Sequence, residues 1–132
     1  MINKRVLSGI QPTGNLHLGN YLGAIKNFVS MQNDHECYYM LADLHAITVK
    51  TEPKVLRENI LNTAASFLAA GLDAKKNVIF CQSNVSSHTH LSWILNCIAR
   101  VGWLNRMTQF KEKAGSNNCL LYTSPSPRDC RL

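Results

Sequence analysis

Three short apolar runs, Val6 to Ile10, Cys37 to Leu41 and Asn77 to Gln82, are each followed by a longer stretch with helical spacing. This alternation limits the fold more than any other feature of the chain. Strands separated by helix-length connections cannot close as hairpins, so they run parallel and cross over through the helices. Right-handed crossovers then predict the first half of a doubly wound α/β fold, a parallel sheet covered on both faces. The first predicted helix runs from about Gly19 to Gln32, with Leu22, Ile25 and Val29 on one face. The second covers about Glu52 to Ala70, where Leu56, Ile60, Ala64, Phe67 and Leu68 form a core stripe. Thr51 and Pro53 suit its start and Gly71 its end. A third helix, capped by Ser86 or Ser87, carries Leu91, Ile94, Leu95 and Ile98.

In open parallel sheets, ligands gather at the carboxyl ends of the strands. Two loops open there, Gln11 to Asn20 and Asp43 to Thr48. The first reads Gln11-Pro12-Thr13-Gly14-Asn15-Leu16-His17-Leu18-Gly19-Asn20 and passes from strand into helix. Gly14 permits a tight reversal and Gly19 leaves the backbone open to close approach, while the N–H groups of the new helix attract an anion. A phosphate-bearing nucleotide fits such a place. Gly9, Gly14, Gly19 and Gly23 never take the G-x-G-x-x-G register, which argues against a dinucleotide cofactor. Gly14 and Gly19 have P-loop spacing, but Asn20 and Tyr21 stand where Lys and Ser or Thr are required. What remains is a His-x-Gly-Asn turn, the kind that nucleotidyl-transfer folds set against a helix N-terminus. Pro12 fixes its own φ and shapes the turn, and Gln11 and Thr13 offer polar contacts. His17 can donate to a phosphate, and the Asn20 amide can meet ribose or phosphate without carrying charge.

The unbroken string from Ser8 to Ala24 resembles the first signature of the tryptophanyl-tRNA synthetases, class I aminoacyl-tRNA synthetases. Asp43-Leu44-His45-Ala46-Ile47-Thr48 is similar to that family's loop after the second strand, and Arg106-Met107-Thr108-Gln109-Phe110-Lys111-Glu112-Lys113 to its segment beyond the third helix. The resemblance implies a Rossmann-like catalytic domain of the HIGH type. It implies an ATP site lined by Gln11, Pro12, Thr13, Gly19 and Asn20, with His17, Asn20 and Lys113 in catalytic contact with the phosphates. Leu7 and His45 are implied to lie against the tryptophan; a capping or core role for His45 stays open.

The implied reaction has two steps. The tryptophan carboxylate attacks the α-phosphate of magnesium ATP, and a terminal ribose hydroxyl of tRNA(Trp) then takes the aminoacyl group. No protein nucleophile is required; the chemistry rests on alignment and charge stabilisation. A homodimer is implied as well. The lysine-rich second signature, the acid that reads the indole N–H, the later strands and the anticodon-binding helices are missing from the 132 residues. By themselves these residues are expected to catalyse little or no tryptophan-dependent exchange of pyrophosphate into ATP. Two other readings share the loop chemistry: a small His-x-Gly-His nucleotidyltransferase, and a non-catalytic nucleotide-binding piece. Tyrosine is the nearest wrong amino acid, since tyrosyl enzymes share the class.

Composition adds boundaries. The net charge of +6 suits a polyanion such as tRNA, but it is spread thinly, with Lys75-Lys76 the nearest thing to a basic run. Cys37, Cys81, Cys97, Cys119 and Cys130 include no C-x-x-C pair and are odd in number, so neither zinc nor a disulfide framework is indicated. Cys37 and Cys81 read as buried reduced thiols of a cytoplasmic protein. No apolar stretch approaches the roughly 18 residues of a membrane span. His88 and His90 point apart on a helix and make no metal site, Lys111 reads as a solvated charge, and Trp93 and Trp103 read as packing residues. Residues 1–115 are expected to form the N-terminal part of the catalytic domain. From about Ser116 the helical period stops and two of the four prolines appear, so 116–132 reads as an unrelated or disordered tail, a truncation product, frame change or sequence scar appended to it, with a divergent native extension as the other account.

Overall fold

The computed structural model describes residues 4–14 and 16–108. Lys113 and the expected boundary at 115 lie outside them. The chain divides into two compact parts, residues up to Val85 and residues from Ser86 onward.

In the first part, apolar runs become strands β1 (Arg5–Ile10), β2 (Glu36–Leu41) and β3 (Val78–Cys81). They form a parallel sheet in the order β1-β2-β3, with Leu7 beside Tyr38 and Tyr38 beside Val78. Helix α1 occupies residues 18–31 as an α turn (Leu18–Asn20), a π turn (Tyr21–Ile25) and an α segment (Lys26–Met31). The short helix α2 (Asp43–Ala46) follows β2, and α3 (Pro53–Ala69) joins it to β3. The segment Asp43 to Thr48, expected as a loop, thus opens with a helical turn.

The crossovers are one-sided. A strand order that advances in a single direction through right-handed connections drops every helix on the same side of the sheet. Ile25, Phe28 and Phe67 accordingly pack with Cys37, Tyr39 and Leu41 into one core, flanked by Val6, Ile10, Ile79 and Cys81. Phe28 stacks on Tyr39 at 4.6 Å between ring centroids and meets Phe67 edge-on at 5.9 Å. The buried Tyr39 hydroxyl donates to the Phe28 carbonyl at 2.8 Å. On the other face, Leu7 and Val78 are 63% and 47% exposed. Within this part, the expected cover on both faces is therefore present on one.

Two expected core positions move outward. Leu22 is exposed, and Phe28 takes the inward place beside Ile25. The cause is the π turn, in which the Lys26 N–H reaches back to the Tyr21 carbonyl and an extra residue swings the apolar stripe around the axis. On α3, Leu68 is exposed while Thr63 is buried, its hydroxyl donating to the Asn59 carbonyl at 2.7 Å. That bond satisfies the threonine and lets it share the inner face. Pro53 opens α3 at its first turn, where a missing N–H costs nothing, and Gly71 closes it at φ +105°. Thr51 does not cap; its hydroxyl donates to the Val49 carbonyl at 3.1 Å.

In the second part, α4 (Ser86–Ile98) and α5 (Val101–Leu104) are helical. Leu91, Trp93, Ile94, Leu95, Ile98 and Trp103 are all at least half exposed. Trp93 and Trp103 therefore do not fill a core; Trp93 stands on the side of α4 away from Leu91, Ile94, Leu95 and Ile98, which share one face. The Arg100 guanidinium lies 5.5 Å from the Trp103 ring centroid. Among the described residues, Cys37 is buried, Cys81 half-buried and Cys97 exposed, all as free thiols; Cys119 and Cys130 lie outside them. No described helix is long and apolar enough to cross a membrane.

Candidate active site

The loops after β1 and β2 leave the sheet side by side, tied by the Ala42 N–H donating to the Ile10 carbonyl at 2.9 Å. In the first loop the Thr13 N–H donates to the Gln11 carbonyl at 2.9 Å, a tight turn around Pro12. Pro12 is fully buried, so it shapes the loop from within. Gln11 is half-buried and Thr13 exposed. Gly14 then takes φ +108°, a conformation that side chains resist.

His17, in extended backbone conformation, caps α1. Its Nδ1 accepts from the Gly19 N–H at 3.1 Å, and the Asn20 side-chain oxygen accepts from the His17 N–H at 3.1 Å. This reciprocal box satisfies helix-end donors and fixes the imidazole over the first turn. With Nδ1 accepting, a neutral ring carries its proton on Nε2, which is then a donor. Gly19 serves that arrangement directly: a Cβ there would stand 3.0 Å from both Nδ1 and Cε1 of His17. Asn20 likewise spends its amide oxygen on His17, and its NH₂ offers two donors.

Leu7 and Gly9 alternate onto the face of the sheet away from α1 and α3, beside Tyr38 and Met40 in register. Gly9 is required by packing, because a Cβ would meet the Met40 carbonyl oxygen at 2.6 Å. At the far end of this face, the Arg5 Nε pairs with Glu36 at 3.0 Å and the Tyr38 hydroxyl donates to Glu36 at 2.6 Å. The Tyr38 hydroxyl and the Arg5 guanidinium hold the Glu36 carboxyl below its ordinary range.

His45 is exposed on α2. Two residues before it, Asp43 is buried and accepts from the N–H groups of Leu44 and Ser83, each at 3.0 Å, and from the Ser83 hydroxyl at 2.5 Å. Neither Asp43 nor Ser83 was singled out by sequence reasoning. An acid at the first turn of a helix directly after a strand was the available signal for Asp43. Burial raises the Cys81 thiol above its ordinary value, with the Asp43 charge adding to it.

The structure thus gathers Gln11, Pro12, Thr13, His17, Gly19 and Asn20 on one loop and helix start, with α2 leaving from the adjacent strand end. A cleft of about 520 Å³, lined by Gly14, Leu16, Asn62, Ala65, Ser66 and Ala69, adjoins this loop but takes in none of the predicted site residues. Among the described residues no cluster of His, Cys, Asp and Glu has the makings of a metal site.

Residues 3–123 match the family described as tRNA synthetases class I (W and Y). The tryptophan–tRNA ligase of Rickettsia conorii is 59% identical over 116 residues, which make up 88% of this chain and 35% of that protein. The Brucella melitensis enzyme of the same name is 55% identical over 112 residues, 85% of this chain and 32% of that one. The chain spans about a third of the length of these relatives. Among solved structures, tryptophanyl-tRNA synthetase from Campylobacter jejuni complexed with ADP and tryptophan superimposes with a TM-score of 0.77 at 40% identity, over 86% of this chain and 35% of that one. The Mycoplasma pneumoniae enzyme gives 0.78 at 39% identity, over 86% and 34%. With the parallel sheet, the capped His-x-Gly-Asn turn and the family match in agreement, the chain belongs to the class I tRNA synthetases of the tryptophan and tyrosine group.

Proposed function

We propose that the protein carrying this chain activates tryptophan with magnesium ATP and transfers it to tRNA(Trp), acting in the cytoplasm as a homodimer. One observation carries the reading: the His17–Gly19–Asn20 box stands at the carboxyl end of β1 in a chain 40% identical to a synthetase whose structure holds ADP and tryptophan. In this reading, ATP lies against the start of α1. Its phosphates meet the Nε2 hydrogen of His17, the Asn20 amide and Lys113, while Gln11, Pro12, Thr13 and Gly19 wall the nucleotide. Magnesium arrives with ATP as part of the substrate.

Leu7 and His45 flank the tryptophan. As its carboxylate attacks the α-phosphate and pyrophosphate leaves, donors already held in place stabilise the gathering charge without reorganising. The α4 residues Leu91, Ile94, Leu95 and Ile98, exposed and apolar, support a second copy as partner. The free thiols support a reducing compartment.

The test is pyrophosphate exchange into ATP by the full-length protein. Tryptophan, and not tyrosine, is expected to drive it, and Gln11→Ala and Asn20→Ala are each expected to slow it about tenfold or more. Exchange driven by tyrosine, activity toward a phosphorylated cofactor precursor, or ATP binding indifferent to both substitutions would each overturn the reading.

A further inference from the structure

Helix α2 has four residues, too few to hold itself by propensity, since a first turn fixes several dihedrals for each hydrogen bond it gains. Something outside the turn must hold it. The buried Asp43 carboxylate does so through three hydrogen bonds: one oxygen accepts from Leu44 within α2 and from the Ser83 backbone N–H, and the other from the Ser83 hydroxyl. Ser83 belongs to the turn Gln82–Asn84 directly after β3. The carboxylate therefore fastens the exit of β2 to the exit of β3, at the end of the sheet where His45 stands. Bonds to an ionised carboxylate are stronger than neutral ones and fix direction as well as distance. Ala46, at the other end of the turn, is buried, and the His45 carbonyl accepts from the Thr48 hydroxyl at 2.8 Å. His45 is thus exposed on a turn whose two flanks are pinned.

We propose that Asp43 and Ser83 are positioning residues for tryptophan binding: their clamp sets the place of α2, and with it the place of His45 against the amino acid. The inference rests on the reading that His45 touches tryptophan. Ser83→Ala removes one arm of the clamp, and Asp43→Asn, of nearly the same volume, weakens all three.

The experiment measures pyrophosphate exchange by the full-length protein. Ser83→Ala is expected to raise the KM for tryptophan about tenfold while leaving the KM for ATP within about twofold, and Asp43→Asn to act in the same direction. Ser83→Thr, which keeps the hydroxyl, is expected to restore most of the affinity. On a His45→Ala background, Ser83→Ala is expected to change the KM for tryptophan by less than about twofold, because residues acting through one another are not additive. A purely structural role would lower the melting temperature equally on both backgrounds and leave that coupling at zero.

Equal effects of Ser83→Ala with and without His45, or an unchanged KM for tryptophan in both Ser83→Ala and Asp43→Asn, would overturn this inference alone. Absence of tryptophan-dependent exchange in the wild-type protein would overturn the functional reading and this inference together.

Discussion

The two faces of the sheet are built from the same three strands and have opposite characters. One face presents Cys37, Tyr39 and Leu41 to α1 and α3 and is closed by aromatic packing. The other presents Leu7, Gly9, Tyr38 and Val78, with no crossover helix of residues 4–85 over it. A period of two along each strand is enough to divide the residues: alternate ones pack into the core or face away from it. Leu7, which the proposed function sets against tryptophan, is therefore separated from the core-flanking Val6 by a single step along the backbone.

The division can be broken most sharply by deleting a large side chain on each face. Phe67→Ala is expected to cost about 3–5 kcal/mol in urea unfolding, and Leu7→Ala under about 1 kcal/mol, because Leu7 has little contact to lose. Equal costs would mean that the open face is as structural as the closed one. Gly9→Ala tests the open face where the backbone itself is crowded: a new methyl group against the Met40 carbonyl is expected to cost about 1–3 kcal/mol, more than Leu7→Ala. A smaller effect, about 1 kcal/mol, is expected for Tyr39→Phe, which leaves the Phe28 carbonyl without its buried donor.

The smallest effect belongs to Glu36 on the open face. Its carboxyl lies below the ordinary value in the folded protein, so its contribution is full above the unfolded value and is lost as pH falls through the lowered folded one. The difference in melting temperature between wild type and Glu36→Gln should be slight at neutral pH and vanish on acidification. A difference that survives acid would show that the pair works by packing and not by charge.

Much of this was legible in the chain. Strands β1, β2 and β3 and helices α1, α3 and α4 fall within a residue or two of where apolar spacing, Pro53 and Gly71 put them, because those signals are local. The loop from Gln11 to Asn20 was legible through its glycines and its histidine. Three things were not. The placing of both crossovers of residues 4–85 on one side depends on strand order, which no local spacing encodes. The outward turn of Leu22 depends on a hydrogen-bonding choice between i+4 and i+5 that Tyr21 to Ile25 do not advertise. The Asp43–Ser83 bond spans forty residues and exists only once β2 and β3 are neighbours.

The π turn has a consequence for how this sequence aligns with others. Counting along the chain, the distance from His17 to Phe28 is a structural constraint in its own right, since one residue in that interval is surplus to a regular helix. Asn27 accommodates it by donating its side-chain amide to the Gly23 carbonyl at 3.2 Å. A variant or relative lacking a single residue there can run as a regular α-helix with His17 and Phe28 still in phase, whereas one that keeps the residue but loses the π turn would, with Phe28 kept in the core, carry the imidazole about 100° around the axis. A one-residue gap in this interval therefore marks a regular helix in place of the π turn, with the histidine kept where it stands here.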